Sequence, residues 1–117
     1  MAFEMKRIST HILDLMNGRP AGDVPVRLEQ QEPRGNWKVL GAARTDGDGR
    51  CGQLLPEGEW SAGLYRLVFD TASYFSARNI EGLYPVVEVI FYVRDGESQF
   101  HIPLLLSANG YTTYRGS

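Results

Sequence analysis

A chain of 117 residues, 43% hydrophobic and 22% charged, has the length and make-up of one globular domain, residues 1–117, with enough apolar mass to bury a core without disulfides or metal. Fourteen acidic and twelve basic residues leave a net charge of −2, and the basic residues are scattered. That balance argues against nucleic acid or an anionic membrane surface as the main partner.

Turn-forming residues recur along the chain at Asn17-Gly18-Arg19-Pro20, Glu32-Pro33-Arg34-Gly35-Asn36, Asp46-Gly47-Asp48-Gly49, Pro56-Glu57-Gly58, Asp95-Gly96 and Asn109-Gly110. Between them lie short runs rich in β-branched, aromatic and aliphatic residues, the pattern of an all-β sandwich or barrel. In chain order the expected strands are residues 8–15, 24–31, 37–44, 53–55, 63–70, 86–93, 100–106 and 111–115. Asn109-Gly110 marks a hairpin between the last two. Residues 71–79 break the alternation and read as a short helix, with Asp70 or Thr71 as cap and Asn79 as stop. The run Val86-Val87-Glu88-Val89-Ile90-Phe91-Tyr92-Val93 is apolar on both faces, so its outer face calls for a cover. A second subunit and a helix lying over a central strand are the two alternatives. The final segment stays strand-like almost to Ser117, which predicts an ordered end.

The first seven residues lack a basic stretch leading into an apolar one, and no apolar run reaches the length of a membrane span. Cys51 is the only cysteine, so there is no intrachain disulfide and no Cys/His zinc cluster. The cytoplasm is the expected compartment.

Few residues can carry chemistry. His11 and His101 are the only histidines, and imidazole is the side chain best suited to move protons near neutral pH. Taken alone, each reads as a hydrogen-bonded strand residue. Arg50 follows the turn Asp46-Gly47-Asp48-Gly49, which aims its guanidinium at a fixed point where it can hold an anionic or enolate-like group. That loop lacks the spacing and terminal Glu of an EF-hand, so it does not read as a calcium site. Cys51 has neither histidine near it in sequence and reads as a small strand residue. Tyr114-Arg115-Gly116-Ser117 brings a phenol, a guanidinium and a hydroxyl together, and strand alternation sets Thr113, Arg115 and Ser117 on one side and Tyr114 on the other.

Taken together, Ser9-Thr10-His11-Ile12-Leu13-Asp14, Gly18-Arg19-Pro20-Ala21, Val24-Pro25-Val26-Arg27-Leu28, Thr45-Asp46-Gly47-Asp48-Gly49-Arg50-Cys51, Tyr84-Pro85-Val86-Val87-Glu88-Val89, His101-Ile102-Pro103-Leu104-Leu105-Leu106-Ser107 and Tyr114-Arg115-Gly116-Ser117 resemble the 5-hydroxyisourate hydrolases of the transthyretin-like family, over nearly the whole chain. The last of these runs is similar to the signature that separates those hydrolases from hormone-carrying transthyretins.

The resemblance implies a transthyretin-like sandwich of two four-stranded sheets with one short helix after the fifth strand. It implies a homotetramer with sites in a channel at the dimer–dimer interface, and it favours a subunit as the cover for residues 86–93. Its catalytic positions fall on His11, Arg50, His101 and Ser117, and its substrate-binding positions on Tyr114 and Arg115. The implied reaction is hydrolysis of 5-hydroxyisourate to 2-oxo-4-hydroxy-4-carboxy-5-ureidoimidazoline in urate degradation, with a histidine activating water and Arg50 holding the developing oxyanion; no metal or organic cofactor is implied. Which histidine is the base is left open, and a tail beyond Ser117 is expected to run into the channel. Two departures stand out: Gln99 lies where the family often has His, and Ala108-Asn109-Gly110 where it often has Pro and an aromatic. The alternatives are a non-enzymatic transthyretin-like protein that binds a small molecule in the same channel, and a purely structural sandwich domain.

Overall fold

The structure, a computed structural model, describes residues 3–117. Two sheets face each other across an apolar core. The first has the order β5 (Trp37–Arg44), β4 (Pro25–Gln31), β8 (Gly63–Phe69), β9 (Val87–Val93), antiparallel throughout. The second runs β11 (Gly110–Thr113), β10 (Gln99–Ser107), β2 (Arg7–Asp14), β3 (Arg19–Pro20), with the two-residue β6 (Arg50–Cys51) also paired to β2. A separate ribbon joins β1 (Phe3–Met5) to β7 (Glu59–Ser61).

This is the expected transthyretin-like sandwich, with a difference in strand count. The second sheet is built on β11, β10 and β2, and short β3 and β6 complete it in place of a fourth long strand. The expected strand at 53–55 does not form; pairing falls earlier, at Arg50–Cys51. The reason is the Gln53 side chain. Its Oε1 accepts from the Ile8 amide at 3.0 Å and its Nε2 donates to the Lys6 carbonyl at 3.0 Å. A carboxamide thus takes backbone groups that a neighbouring strand would otherwise satisfy.

Strand β2 shows how the sequence sorts itself. Ile8, Thr10, Ile12 and Asp14 are buried, while Ser9, His11 and Leu13 alternate with them on the outer face. Ile8 and Ile12 pack with Leu28, Leu67, Phe69, Leu104 and Leu106. Each such side chain contributes about 1.5–3 kcal/mol by leaving water. The long partner of β2 is β10, and the two run parallel, pairing Gln99 with Arg7, His101 with Ser9 and Pro103 with His11.

The helix α1 (Thr71–Ser76) begins where expected. Asp70 accepts from the Ser73 amide at 3.0 Å. It is three residues shorter than expected at its C-terminal end, and Asn79 takes a left-handed φ of 57° just beyond it. The helix does not lie over β9. That strand is a sheet edge, with Ile90 and Tyr92 more than half exposed, so the covering-helix alternative is set aside. Instead α1 buries Tyr74 and Phe75, and the Tyr74 hydroxyl donates to buried Asp14 Oδ2 at 2.6 Å.

Burial, followed by the hydrogen bond and negative charge of Asp14, pushes the Tyr74 phenol up to about 12. Tyr74→Phe should cost about 1.5–3 kcal/mol in urea unfolding at neutral pH, because Asp14 loses a charge-assisted partner. The neutral phenol is favoured by folding, so this stability is complete below about pH 10, the unfolded value, and is lost as pH rises through about 12. The gap between wild type and variant should therefore narrow over that range.

Candidate active site

The cleft on the outer face of the second sheet measures about 330 Å³ and is lined by residues of β2, β6 and β10 together with the last residue, Ser117. Its floor follows from alternation: the residues of β2 and β10 that point away from the core at this level are Arg7, Ser9, Gln99 and His101. His101 is held from both sides. Its Nδ1 shares a 2.8 Å hydrogen bond with Ser9 Oγ, and its backbone carbonyl accepts from the Gly116 amide at 2.8 Å. Gly116 lies so close that a Cβ there would come within 2.6 Å of the His101 ring, so a residue without a side chain is needed to bring the chain past it. This passage delivers Ser117 to the cleft.

Arg50 owes its place to the preceding turn. Asp46 Oδ1 accepts from the Asp48 and Arg50 amides at 2.9 and 3.0 Å, and Gly49 takes a φ of 76°. A Cβ on Gly49 would meet the Ile12 carbonyl oxygen at 2.4 Å, so the turn can lie against β2 only with glycine there. Arg50 then pairs in register with His11. His11 Nε2 lies 2.8 Å from the Asp48 carbonyl oxygen. A carbonyl only accepts, so Nε2 carries the proton and a neutral His11 keeps its lone pair on Nδ1.

Burial first, then the positive charges of Arg50 and His11, pull His101 below the ordinary histidine value of about 6.5. His101, Arg50 and His11 thus act on one another within a single chain. At neutral pH His101 is an uncharged base, with a guanidinium nearby that can receive negative charge. No Asp or Glu lines the cleft among the described residues. Nor, among these, is any group of three or more His, Cys, Asp or Glu placed to hold a metal ion. Burial, then the Asp46 charge, pushes the Cys51 thiol up, so it stays protonated and is a poor nucleophile.

Within the chain, Tyr114 and Arg115 do not line this cleft. They line a separate groove with Val89, Phe91, Tyr92 and Thr113. The β10–β11 pairing ends at Thr113, and Arg115 turns back over the Phe100 ring to pair with Glu97 at 2.5 Å and to donate to the Gln99 carbonyl at 3.0 Å. Arg115 therefore braces the strand that carries His101. Conversely, Arg7, Ser9 and Gln99 line the cleft although sequence alone assigns none of them a role: Ser9 opens one of the runs that carry the resemblance, Gln99 stands out only as a departure, and Arg7 lies outside every run. The signal that finds them is their even spacing along the strands, Ser9 and Arg7 two and four residues before His11 and Gln99 two before His101, once β2 and β10 are known to pair.

The fold and cleft define a transthyretin-like sandwich with a histidine–arginine site on one sheet face. The HIUase/Transthyretin family matches residues 8–116, and the chain belongs to it. It is 44% identical over 118 residues to the 5-hydroxyisourate hydrolase of Mus musculus, covering 100% of each chain. It is 43% identical over 110 residues to that of Salmonella dublin, covering 94% of this chain and 80% of the relative. Among solved structures, Klebsiella pneumoniae 5-hydroxyisourate hydrolase aligns with a TM-score of 0.85 and 33% identity over 97% of this chain and 100% of its own. The transthyretin of Sparus aurata aligns with a TM-score of 0.88 and 32% identity over 94% and 96%.

The His101 environment can be read directly. Its ring should titrate by NMR with a midpoint below 6.5, and Arg50→Gln should move that midpoint up, because a charge opposing protonation is gone. An unmoved midpoint would show that the Arg50 charge does not reach the ring.

Proposed function

We propose that this chain is an enzyme that hydrolyses 5-hydroxyisourate to 2-oxo-4-hydroxy-4-carboxy-5-ureidoimidazoline in urate degradation, with residues 1–117 acting as one hydrolase domain. The observation that carries this is a depressed His101 and Arg50 lining one cleft in one chain, with His11 in register beside Arg50 but outside the cleft lining, in a family whose hydrolases match it nearly end to end.

In this reading His101 donates Nδ1–H to Ser9 Oγ and presents Nε2 as the base. Nε2 takes a proton from water, and the resulting hydroxide adds to the ring carbonyl carbon. Arg50 stabilises the oxyanion that forms, and His11 Nδ1 orients the attacking water. Collapse breaks the ring C–N bond, and the leaving nitrogen takes its proton from the His101 imidazolium, with the Ser117 hydroxyl beside the exchange. The carbonyl becomes a carboxylic acid that loses its proton to solvent, so negative charge is produced beside Arg50. Arg115 supports this arrangement through β10, by its bond to the Gln99 carbonyl.

The free protein should accelerate the ultraviolet-monitored decay of 5-hydroxyisourate well above its spontaneous rate. His101→Asn should reduce turnover by about 10²–10⁴-fold while leaving particle mass unchanged. An unaccelerated decay would point instead to the small-molecule-binding alternative, which a transthyretin of the same fold solved with thyroxine, 32% identical, also suggests.

The working form in this proposal is a homotetramer with sites at the dimer–dimer interface. Two unpaired edges support it, β9 and β11, flanking an apolar groove that includes Val89, Phe91, Tyr92 and Tyr114. Such edges are normally covered. Light scattering should give a mass about four times that of the 13.1 kDa chain; a monomer would overturn the assembly. A cytoplasmic location completes the reading and suits the free, buried Cys51. No helix among the described residues is long and apolar enough to cross a membrane.

A further inference from the structure

The cleft has a second polar end that the proposed chemistry leaves unused. In the β2–β10 ladder, Arg7 lies opposite Gln99, and two residues further on Ser9 lies opposite His101. Two residues further again, His11 is flanked on its other side by Arg50. Residues two apart share a face and lie about 7 Å from each other. The three levels therefore form a row: Arg7 and Gln99, then Ser9 and His101, then His11 and Arg50.

Arg7 is tethered at one point and open elsewhere. Its Nε–H donates to the Gly52 carbonyl at 2.9 Å, and a Cβ on Gly52 would sit 3.4 Å from Arg7 Nη2. Among the described residues its guanidinium meets no carboxylate. The pinned Nε sets the direction of the fork, and the Nη–H groups remain as donors. Gln99 is steadied as well, because Arg115 holds its backbone carbonyl at 3.0 Å.

We infer that Arg7, with Gln99 beside it, is a specificity-determining anchor that takes the carbonyl oxygens at the edge of the substrate remote from the carbonyl attacked at His101. This rests on the hydrolase reading above. A planar ureide carries carbonyl acceptors and N–H donors on both edges. Arg50 serves the edge where charge develops. Arg7 and the Gln99 carboxamide offer donors and an acceptor to the other. Contacts remote from the reacting bond hold substrate and transition state alike, so they act on KM.

The test compares wild type, Arg7→Gln and Arg7→Lys by steady-state kinetics on 5-hydroxyisourate and by calorimetry with urate, a stable planar ureide. Arg7→Gln should raise KM about tenfold, the effect of one charge-assisted contact, with kcat changed by less than about threefold. Arg7→Lys, keeping the charge without the fork, should fall between. Urate affinity should drop about tenfold in Arg7→Gln, while the His101 NMR midpoint stays where it is in wild type, reporting an intact site. A wild type that fails to accelerate decay removes the hydrolase reading, and the urate comparison then decides Arg7 by itself. Equal urate affinity in wild type and variant, no urate binding to either, or a loss confined to kcat overturns the anchor.

Discussion

The parallel ladder between β2 and β10 is the constraint on which the cleft depends. Its register brings His101 beside Ser9 and stacks Arg7 and Gln99 on one side of that pair. Because side chains alternate, the same register that sends Ile8, Ile12, Leu104 and Leu106 into the core sends the polar set outward. A slip of one residue would exchange the two faces, burying a histidine and exposing isoleucine. Core packing and site geometry are therefore held by the same interaction, and the hydrophobic side supplies most of the energy that fixes the polar side.

Two smaller devices refine what the ladder sets up. The Asp46 carboxylate, accepting from two amides, and Gly49, pressed against the Ile12 carbonyl, bring Arg50 to β2 from a loop. Gly116, passing within contact of the His101 ring, brings Ser117 to the same place from the other side. Both use a missing Cβ for close approach. The electrostatic outcome follows: a half-buried imidazole beside a guanidinium and a second imidazole favours its neutral form, the form that can accept a proton.

Local patterns in the sequence carried the strands, the turn ahead of Arg50 and the start of α1, because alternation, Asp-Gly pairs and an Asp cap are read within a few residues of where they act. What alternation cannot report is which strands become neighbours. The pairing of residues 7–14 with 99–106 is a tertiary choice, so the nearness of Arg7 and Ser9 to His101 was invisible, whereas Gln99 lies only two positions from it along its own strand. Residues 53–55 misled for another reason: a glutamine carboxamide stood in for backbone partners, and its composition resembles a strand. The sides that alternation assigns to Tyr114 and Arg115 lie beyond the point where the ladder stops, at Thr113, and there the chain turns back toward Glu97. The edge position of β9 likewise depends on sheet order, and the doubly apolar run alone could not distinguish an edge from a centre.

The separation of Ser9 from His101 by 92 positions has a consequence for how the molecule comes into being. During synthesis β2 emerges well before β10, the strand that completes its long ladder. Until then the β10-facing side of β2 is an unpaired edge, and His11 and Arg50 can meet without their third partner. Contacts this distant in sequence close slowly, because the loop entropy is lost before the pairing rewards it. The cleft is then among the later features to form, and an intermediate caught before β10 docks presents a sticky strand and an incomplete cleft.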